Sequence, residues 1–239
     1  MVHLRRTLAP YWWPIPRKEG GVWVIRPSPG PHSLAYSLPL ALIIRDVLKY
    51  AKTMREARYI ISRGYVKVDG AVRRDYKFPV GLMDVVEIVP TGEVYRVVPD
   101  ENRYYALLPI PPQEAALKLL RVEGKTAVKG GRLQLHFHDG RNLIVPQEVS
   151  RQIKTFDTVL YDLQNKAIKA HIPLKLGNAV VVTHGGNVGF SGQLYEVVWT
   201  LKRRQSVVAI RRGEEIKRTI LNYVMAVGTE APVIKMIAP

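Results

Sequence analysis

"TMREARYIISRGYVKVDGAVRRDYKFPVGLMDVVEIV", residues 53–89, changes its periodicity halfway along, and that change decides the reading of the chain's first third. Thr53 and Glu56 form a T-x-x-E capping box, which predicts a helix starting at Met54. Ala57, Ile60 and Ile61 supply its apolar stripe, while Arg55, Arg58, Tyr59 and Ser62 recur at i, i+3, i+4 and i+7 on the opposite face. Gly64 is a natural stop. The period then drops to two: Val66 and Val68 alternate with Tyr65 and Lys67, as on a half-buried strand. Asp69-Gly70 supplies a tight turn with positive φ available. Arg73, Arg74 and Lys77 fall on or just past the return strand. A further strand follows, with Val85, Glu87 and Val89 on one face and Val86 and Ile88 on the other. Upstream, "LALIIRDVLKYA" (40–51) places Leu40, Ile43, Ile44, Val47, Leu48 and Ala51 at helical spacing, so a first helix is expected there.

Arginines opposite an apolar stripe are, taken alone, a solvated helix face. Residues 34–80, however, carry ten basic and four acidic side chains, so the surface keeps a large positive excess. The run R-E-A-R-x-x-I-x-x-G-x-V-x-V-D-G from Arg55 to Gly70, followed by P-V-G-L-M-D-V-V-E-I, resembles the S4-type RNA-binding domain. That resemblance implies that Arg55, Arg58, Tyr59, Ser62, Arg63, Lys67, Arg73, Arg74 and Lys77 face structured RNA. The domain occurs in ribosomal proteins, pseudouridine synthases, a tyrosyl-tRNA synthetase and stress proteins, so it implies RNA without specifying the task.

The net charge of +16 is segregated along the 239 residues. Residues 1–33 contribute +4, 34–80 contribute +6, 81–199 only +1, and 200–239 contribute +5. Segregated basicity points to surfaces that meet a polyanion, nucleic acid first. An anionic membrane would call for a basic amphipathic helix or a lipidation motif, and neither is found. No run of 18 apolar residues occurs, and the N-terminus lacks the apolar core of a signal peptide, so neither a membrane span nor secretion is expected. The absence of Cys excludes disulfides and thiolate metal sites. With 47% hydrophobic residues, 17 Pro and 18 Gly, several small β-rich modules are expected.

Six prolines in residues 1–33 predict an extended arm without a core of its own, yet Trp12, Trp13 and Trp23 sit there beside Tyr11. Two readings stay open for the aromatics: a strap whose rings fill protein grooves, or an arm threaded into RNA with rings stacked on bases. Arg5, Arg6, Arg17, Lys18 and Arg26 are the candidate phosphate ligands, with Trp12 a candidate stacking ring.

Between roughly Tyr95 and Leu174 the chain is electrically balanced and β-rich. "EAALKLLRVEG" (114–124) suggests one short helix ended by Gly124. "GRLQLHFHDGRNLIV" reads as a hairpin, with Leu133, Leu135 and Phe137 on one face and Gln134, His136 and His138 on the other. Two histidines without a third ligand do not make a metal site, and no metal, cofactor or small-molecule substrate is expected. Asp157 and Asp162 form no catalytic pair; "LYDLQN" does not fit the aspartate motif a pseudouridine synthase would need.

"VVVTHGGNVGFSGQLYEV" (180–197) has the glycine density of a nucleotide loop, but Gly192 leads into Tyr195, Val197 and Trp199 alternating with Glu196, Val198 and Thr200. Strand, glycine turn and strand leave no helix N-terminus to hold a phosphate. The pattern resembles the KOW motif of ribosomal proteins and elongation factors, which implies a small SH3-like β-barrel. His184 and Asn187 in the turn, and Lys202, Arg203, Arg204, Arg211 and Arg212 beyond it, are candidate RNA contacts. Lys217 and Arg218 add to the same basic segment.

Four segments are therefore expected: a Pro/Trp-rich basic arm (1–38), an S4-type domain (39–94), a central β-rich module (95–174) and a KOW barrel (175–239), an α+β fold that is mostly β. "HLRRTLAPYWWPIPRKEGGVWVIRPSPGPHS", "LPLALIIRDVLKYAKTMREAR" and "YKFPVGLMDV" resemble the archaeal and eukaryotic small-subunit ribosomal family S4e along nearly the whole chain. The end at Pro239, soon after the expected barrel, resembles the shorter archaeal form. The resemblance implies a cytoplasmic, ribosome-bound constituent of the small subunit. Its partners would be small-subunit ribosomal RNA and neighbouring ribosomal proteins, and it would perform no catalysis. An RNA-modifying enzyme or a KOW-containing transcription elongation factor are the alternatives.

Overall fold

The computed structural model describes residues 3–18 and 21–236. The chain divides into two compact units, Met1–Val97 with Pro109–Ala115, and Val98–Leu108 with Ala116–Pro239.

In the first unit, β1 (Leu4–Arg5) pairs antiparallel with β2 (Trp23–Val24), closing the proline-rich arm on itself. β3 (Ser37–Pro39) leads into α1 (Leu40–Leu42), a π-type turn over Ile43–Val47, and α2 (Met54–Ser62). Then come β4 (Val66–Val68), β5 (Ala71–Val72), β6 (Pro79–Gly81) and β7 (Val85–Ile88); β8 (Glu93–Asp100) crosses the boundary after Val97, and its neighbour β9 (Tyr104–Pro109) belongs to the second unit up to Leu108. β3 pairs with β6, and β4 lies between β5 and β7. The expected first helix is shorter than the spacing suggested. The Leu48 amide reaches back to the Ile43 carbonyl at 2.8 Å, five residues earlier, and Lys49 takes φ 59°. The wide turn still buries Ile43 and Ile44 fully. The capping box is formed as read: Thr53 accepts from the Glu56 amide at 3.3 Å, and Glu56 accepts from the Thr53 amide at 3.4 Å. Ala57 and Ile61 face inward with no exposure.

The second unit contains two five-stranded antiparallel sheets. β10 (Leu117–Val128), β11 (Arg132–Phe137), β12 (Asn142–Val145), the short α3 (Gln147–Gln152), β13 (Thr158–Asp162) and β14 (Ala167–Ile172) give the strand order β12-β11-β10-β13-β14. Leu120, Val122, Leu135, Phe137, Val145 and Val159 form its core. β15 (Ala179–Val182), β16 (Ser191–Val198), β17 (Val207–Arg212), β18 (Glu215–Ile220) and β19 (Val224–Gly228) give the order β18-β17-β16-β15-β19. The fold is mostly β with few helices.

The helix expected in "EAALKLLRVEG" is corrected by this topology. Only Pro112–Glu114 makes a helical turn, and the rest is β10, the long central strand. Every residue from Lys118 to Val122 is buried, the two cations included, so both faces of the strand are covered and no period of two survives. The Ala, Leu and Lys content favours helix, but pairing with β11 on one side and β13 on the other overrides that weak propensity. Gly124, read as a helix stop, sits at a bulge where the register with β11 shifts.

Candidate nucleic-acid interface

The exposed face of α2 carries Arg55, Arg58, Tyr59, Ser62 and Arg63. The capping box fixes where this face begins. Lys52 first, then Thr53, donate hydrogen bonds that hold the Glu56 carboxyl below its ordinary value, so the cap persists into mild acid. Beyond Gly64, at φ 79°, the β4–β5 hairpin turns on Asp69 and Gly70 at φ 53° and 76°. This pair of left-handed residues matches the strand twist, as the Asp-Gly dipeptide predicts. Asp69 also accepts from the Val85 amide at 3.0 Å, tying the turn to β7.

Cations of this segment lie against aromatic rings. The Arg58 guanidinium sits 4.3 Å from the centre of the Tyr76 ring and Lys77 5.6 Å from the same ring. Arg73 lies 4.4 Å from Phe78, with its Nε buried and unbonded, and Arg63 lies 5.1 Å from Tyr59. A guanidinium stacked by its face retains its in-plane N–H donors, the edge that binds a phosphate bidentately. Arg55 and Arg74 are exposed, whereas Lys67 is half-buried and paired with Glu87 at 2.9 Å. Tyr76 and Phe78, the rings beneath the cations, were missed in the sequence. The alternation of basic and aromatic residues in "RRDYKF" (73–78) was the available signal.

In the arm, two of the five candidate phosphate ligands are engaged internally. Arg6 is buried and donates to the carbonyls of Gly21 and Pro16 at 3.0 and 2.8 Å. Arg17 donates to the carbonyls of Arg6, Ala9 and Pro10. Arginine here supplements the sparse backbone hydrogen bonding of a proline-rich segment by donating to its carbonyls. Arg5 and Lys18 are exposed and Arg26 is half-buried. The aromatics divide: Trp13 is 3% exposed and donates to the Ser37 carbonyl, Trp12 is half-buried and donates to Ala35, while Tyr11 and Trp23 stand out at 76% and 56%. The arm also contains buried Leu4, Ala9 and Ile15, more core than its proline content suggested.

In the second unit the glycine turn after β15 is built for backbone proximity. A side chain at Gly192 would run into the Arg211 carbonyl, and one at Gly189 into the Asp100–Glu101 peptide. His184 and Asn187 are held within the protein. His184 bonds Thr183 Oγ1 at 2.7 Å and packs beside Tyr104, Tyr105 and Tyr223, and Asn187 donates to the Arg218 carbonyl. Lys202, Arg203, Arg204, Arg211, Arg212 and Arg218 are exposed. Arg212 is bracketed by Glu101 and Glu215, whose hydrogen bonds, Glu101 first, raise its pKa, and Arg204 lies 3.9 Å from Glu123. Arg203 stacks 5.1 Å from the Trp199 ring.

Several titratable groups of the central sheet are satisfied locally. His136 bonds Thr126 and Asn142, His138 accepts from the Arg121 amide, and Asp157 bonds His171 at 2.7 Å. Asp162 is held well below the ordinary carboxylate range, chiefly by Lys169 and then Asn165. No helix is long and apolar enough to cross a membrane among the described residues.

Known proteins resemble this chain along its whole length. Residues 2–35 match the RS4NT domain, 40–86 the S4 domain, and 91–168 the ribosomal family S4e. The small ribosomal subunit protein eS4 of Pyrobaculum islandicum is 82% identical over 99% of both chains, and that of Caldivirga maquilingensis 46% over 99% of both. The crystal structure of the 30S ribosomal protein S4e from Thermoplasma acidophilum, 34% identical, superposes with a TM-score of 0.70 over 81% of this chain and 96% of that one.

Proposed function

The chain belongs to the ribosomal S4e family, and from that premise we infer that it is a structural constituent of the small ribosomal subunit. It binds ribosomal RNA, sits among other ribosomal proteins in the cytoplasm, and carries out no catalysis. The observation that carries the reading is the coincidence of an S4 domain with a capped helix and tight hairpin whose Arg58 and Arg73 lie over the Tyr76 and Phe78 rings.

Arg55, Arg58, Arg63, Arg73, Arg74 and Lys77 are the phosphate contacts of the first unit, with Tyr59, Ser62 and Lys67 at its margin. Arg5, Lys18 and Arg26 extend that role along the arm, and exposed Tyr11 and Trp23 are better placed than Trp12 to stack on bases. The second basic surface is formed by Lys202, Arg203, Arg204 and Arg211. Arg6, Arg17, His184 and Asn187 serve the protein's own structure instead, and Arg212 is largely neutralised by its two glutamates. The β15–β19 sheet, with its glycine turn, is read as a KOW barrel of SH3-like form. The four-part division at residues 38, 94 and 174 describes the functional segments.

Sedimentation of a lysate through a sucrose gradient, with blotting for the chain, tests the reading. The chain is expected in the small-subunit fractions at low salt and is expected to leave them in high salt, because phosphate contacts release counterions. A chain that stays at the top of a low-salt gradient overturns it.

A further inference from the structure

The outer face of the second sheet in the second unit carries an apolar row that basic residues do not explain. Val198 pairs with Val207, and Val207 with Ile220, so the three lie side by side across β16, β17 and β18. They are 50%, 37% and 37% exposed, whereas Leu194, Val208 and Ile210 on the opposite face are buried. Trp199, 58% exposed, follows the end of β16, and Leu201 in the next loop is fully exposed. A contiguous exposed apolar surface with a charged rim marks an interaction site.

We propose that this face docks an apolar segment of another protein whose flanks are acidic. Three observations select that occupant. Paired β-branched residues present no flat ring for a base to stack on, so the row itself suits another protein better than RNA. An aliphatic centre flanked by Trp and Arg has the composition of a protein–protein interface. Basic residues exceed acidic ones around it: exposed Lys202 and Arg203 stand in the loop after β16, and Arg218 stands two residues before Ile220 on the same face, while Glu196 lies across Ala209. Complementarity therefore calls for Asp or Glu around the partner's apolar residues. The inference rests on the small-subunit reading only for the place where that partner is met.

The test uses the full chain in the cell, with a benzophenone amino acid at Val207 and, as control, at exposed Lys166 outside this sheet. After irradiation, small-subunit fractions are collected and the cross-linked species sequenced. The expected result is a protein cross-link from position 207, absent from position 166, to a segment whose apolar residues are flanked by acidic ones. Arg218→Glu, outside the residues assigned to RNA, should lower its yield about fivefold while the chain stays in the small-subunit fractions. A cross-link to RNA, to a second copy of this chain or to a basic segment overturns the proposal, as does no cross-link or a yield indifferent to the charge reversal. Each of those outcomes leaves the small-subunit reading standing if the chain still sediments with the subunit. A chain missing from the small-subunit fractions overturns both.

Discussion

The α2–hairpin surface and the β10 strand use the same cations for opposite ends. On α2 and the hairpin, Arg58 and Arg73 lie on the faces of Tyr76 and Phe78. In β10, Lys118 is fully buried and pairs with Asp139 at 3.1 Å, and Arg121 is buried and donates to the carbonyls of Asn222 and Val224 at 2.8 and 2.9 Å. A guanidinium stacked on a ring keeps its donor edge, whereas a cation inside a sheet exhausts its donors on one carboxylate or a few carbonyls. Segment charge therefore measures attraction for a polyanion only after the internally consumed cations are set aside. The near-neutral stretch 81–199 holds thirteen basic and twelve acidic residues, and some of its cations, Lys118 and Arg121 among them, are spent inside the protein.

The largest way to break that contrast lies in β10. Lys118→Met should destabilise the protein by about 3 kcal/mol, the low end for a broken buried pair because Arg141 still faces Asp139 at 2.9 Å. Adding Asp139→Leu should recover most of the loss. Chemical denaturation measures both, and equal stability of the single and double variants would remove the claim that the pair is structural.

On the exposed surface the prediction reverses. Arg55→Gln with Arg58→Gln should flatten the log–log salt dependence of ribosomal RNA binding by roughly one unit per lost contact, while stability falls by no more than about 1 kcal/mol, the lost Arg58–Tyr76 contact included. Lys129→Gln with Lys166→Gln, exposed in the second unit, should leave the slope unaltered. A control pair as effective as the arginines would reduce the α2 face to a contributor of net charge.

Thr53→Ala sharpens the comparison by separating position from charge. Loss of the cap should cost about 1 kcal/mol in thermal or chemical unfolding with the salt slope intact, since every arginine remains.

The smallest effect is in acid. Burial opposes ionisation of Asp139, but Lys118, with lesser help from its neighbours, holds its pKa below the ordinary value. A depressed carboxylate contributes stability that is present above its unfolded value, about 3.9, and is lost as pH falls through its lower folded value. The wild type should therefore lose stability below about pH 4 more steeply than Asp139→Asn, as acid-unfolding curves at matched ionic strength would report.

Much of the helix–hairpin segment was legible because its signals are local. Thr53 and Glu56 are three residues apart, and Asp69-Gly70 needs only its own dihedral angles. The β11–β12 hairpin, with Leu135 and Phe137 buried, and the close approach at Gly192 were readable for the same reason. The β10 strand was not, because its period is hidden when both faces are covered, and its partners lie up to 45 residues away, at Asp162. In the candidate interface, the exposed arginines of α2 were legible from helical spacing, whereas the fates of Arg6 and Arg17 depended on how prolines fold the arm back onto its own carbonyls.

Local chemistry in the sequence thus determined the capped helix, the tight hairpin, the strand-and-glycine turn and the basic ends, each set by residues within one or two turns of chain. Only the tertiary structure decided which cations remain available, which tryptophans are buried, and that Val198, Val207 and Ile220 share one exposed face. Those outcomes depend on register and burial between distant strands, where a one-residue slip would send every side chain to the other face.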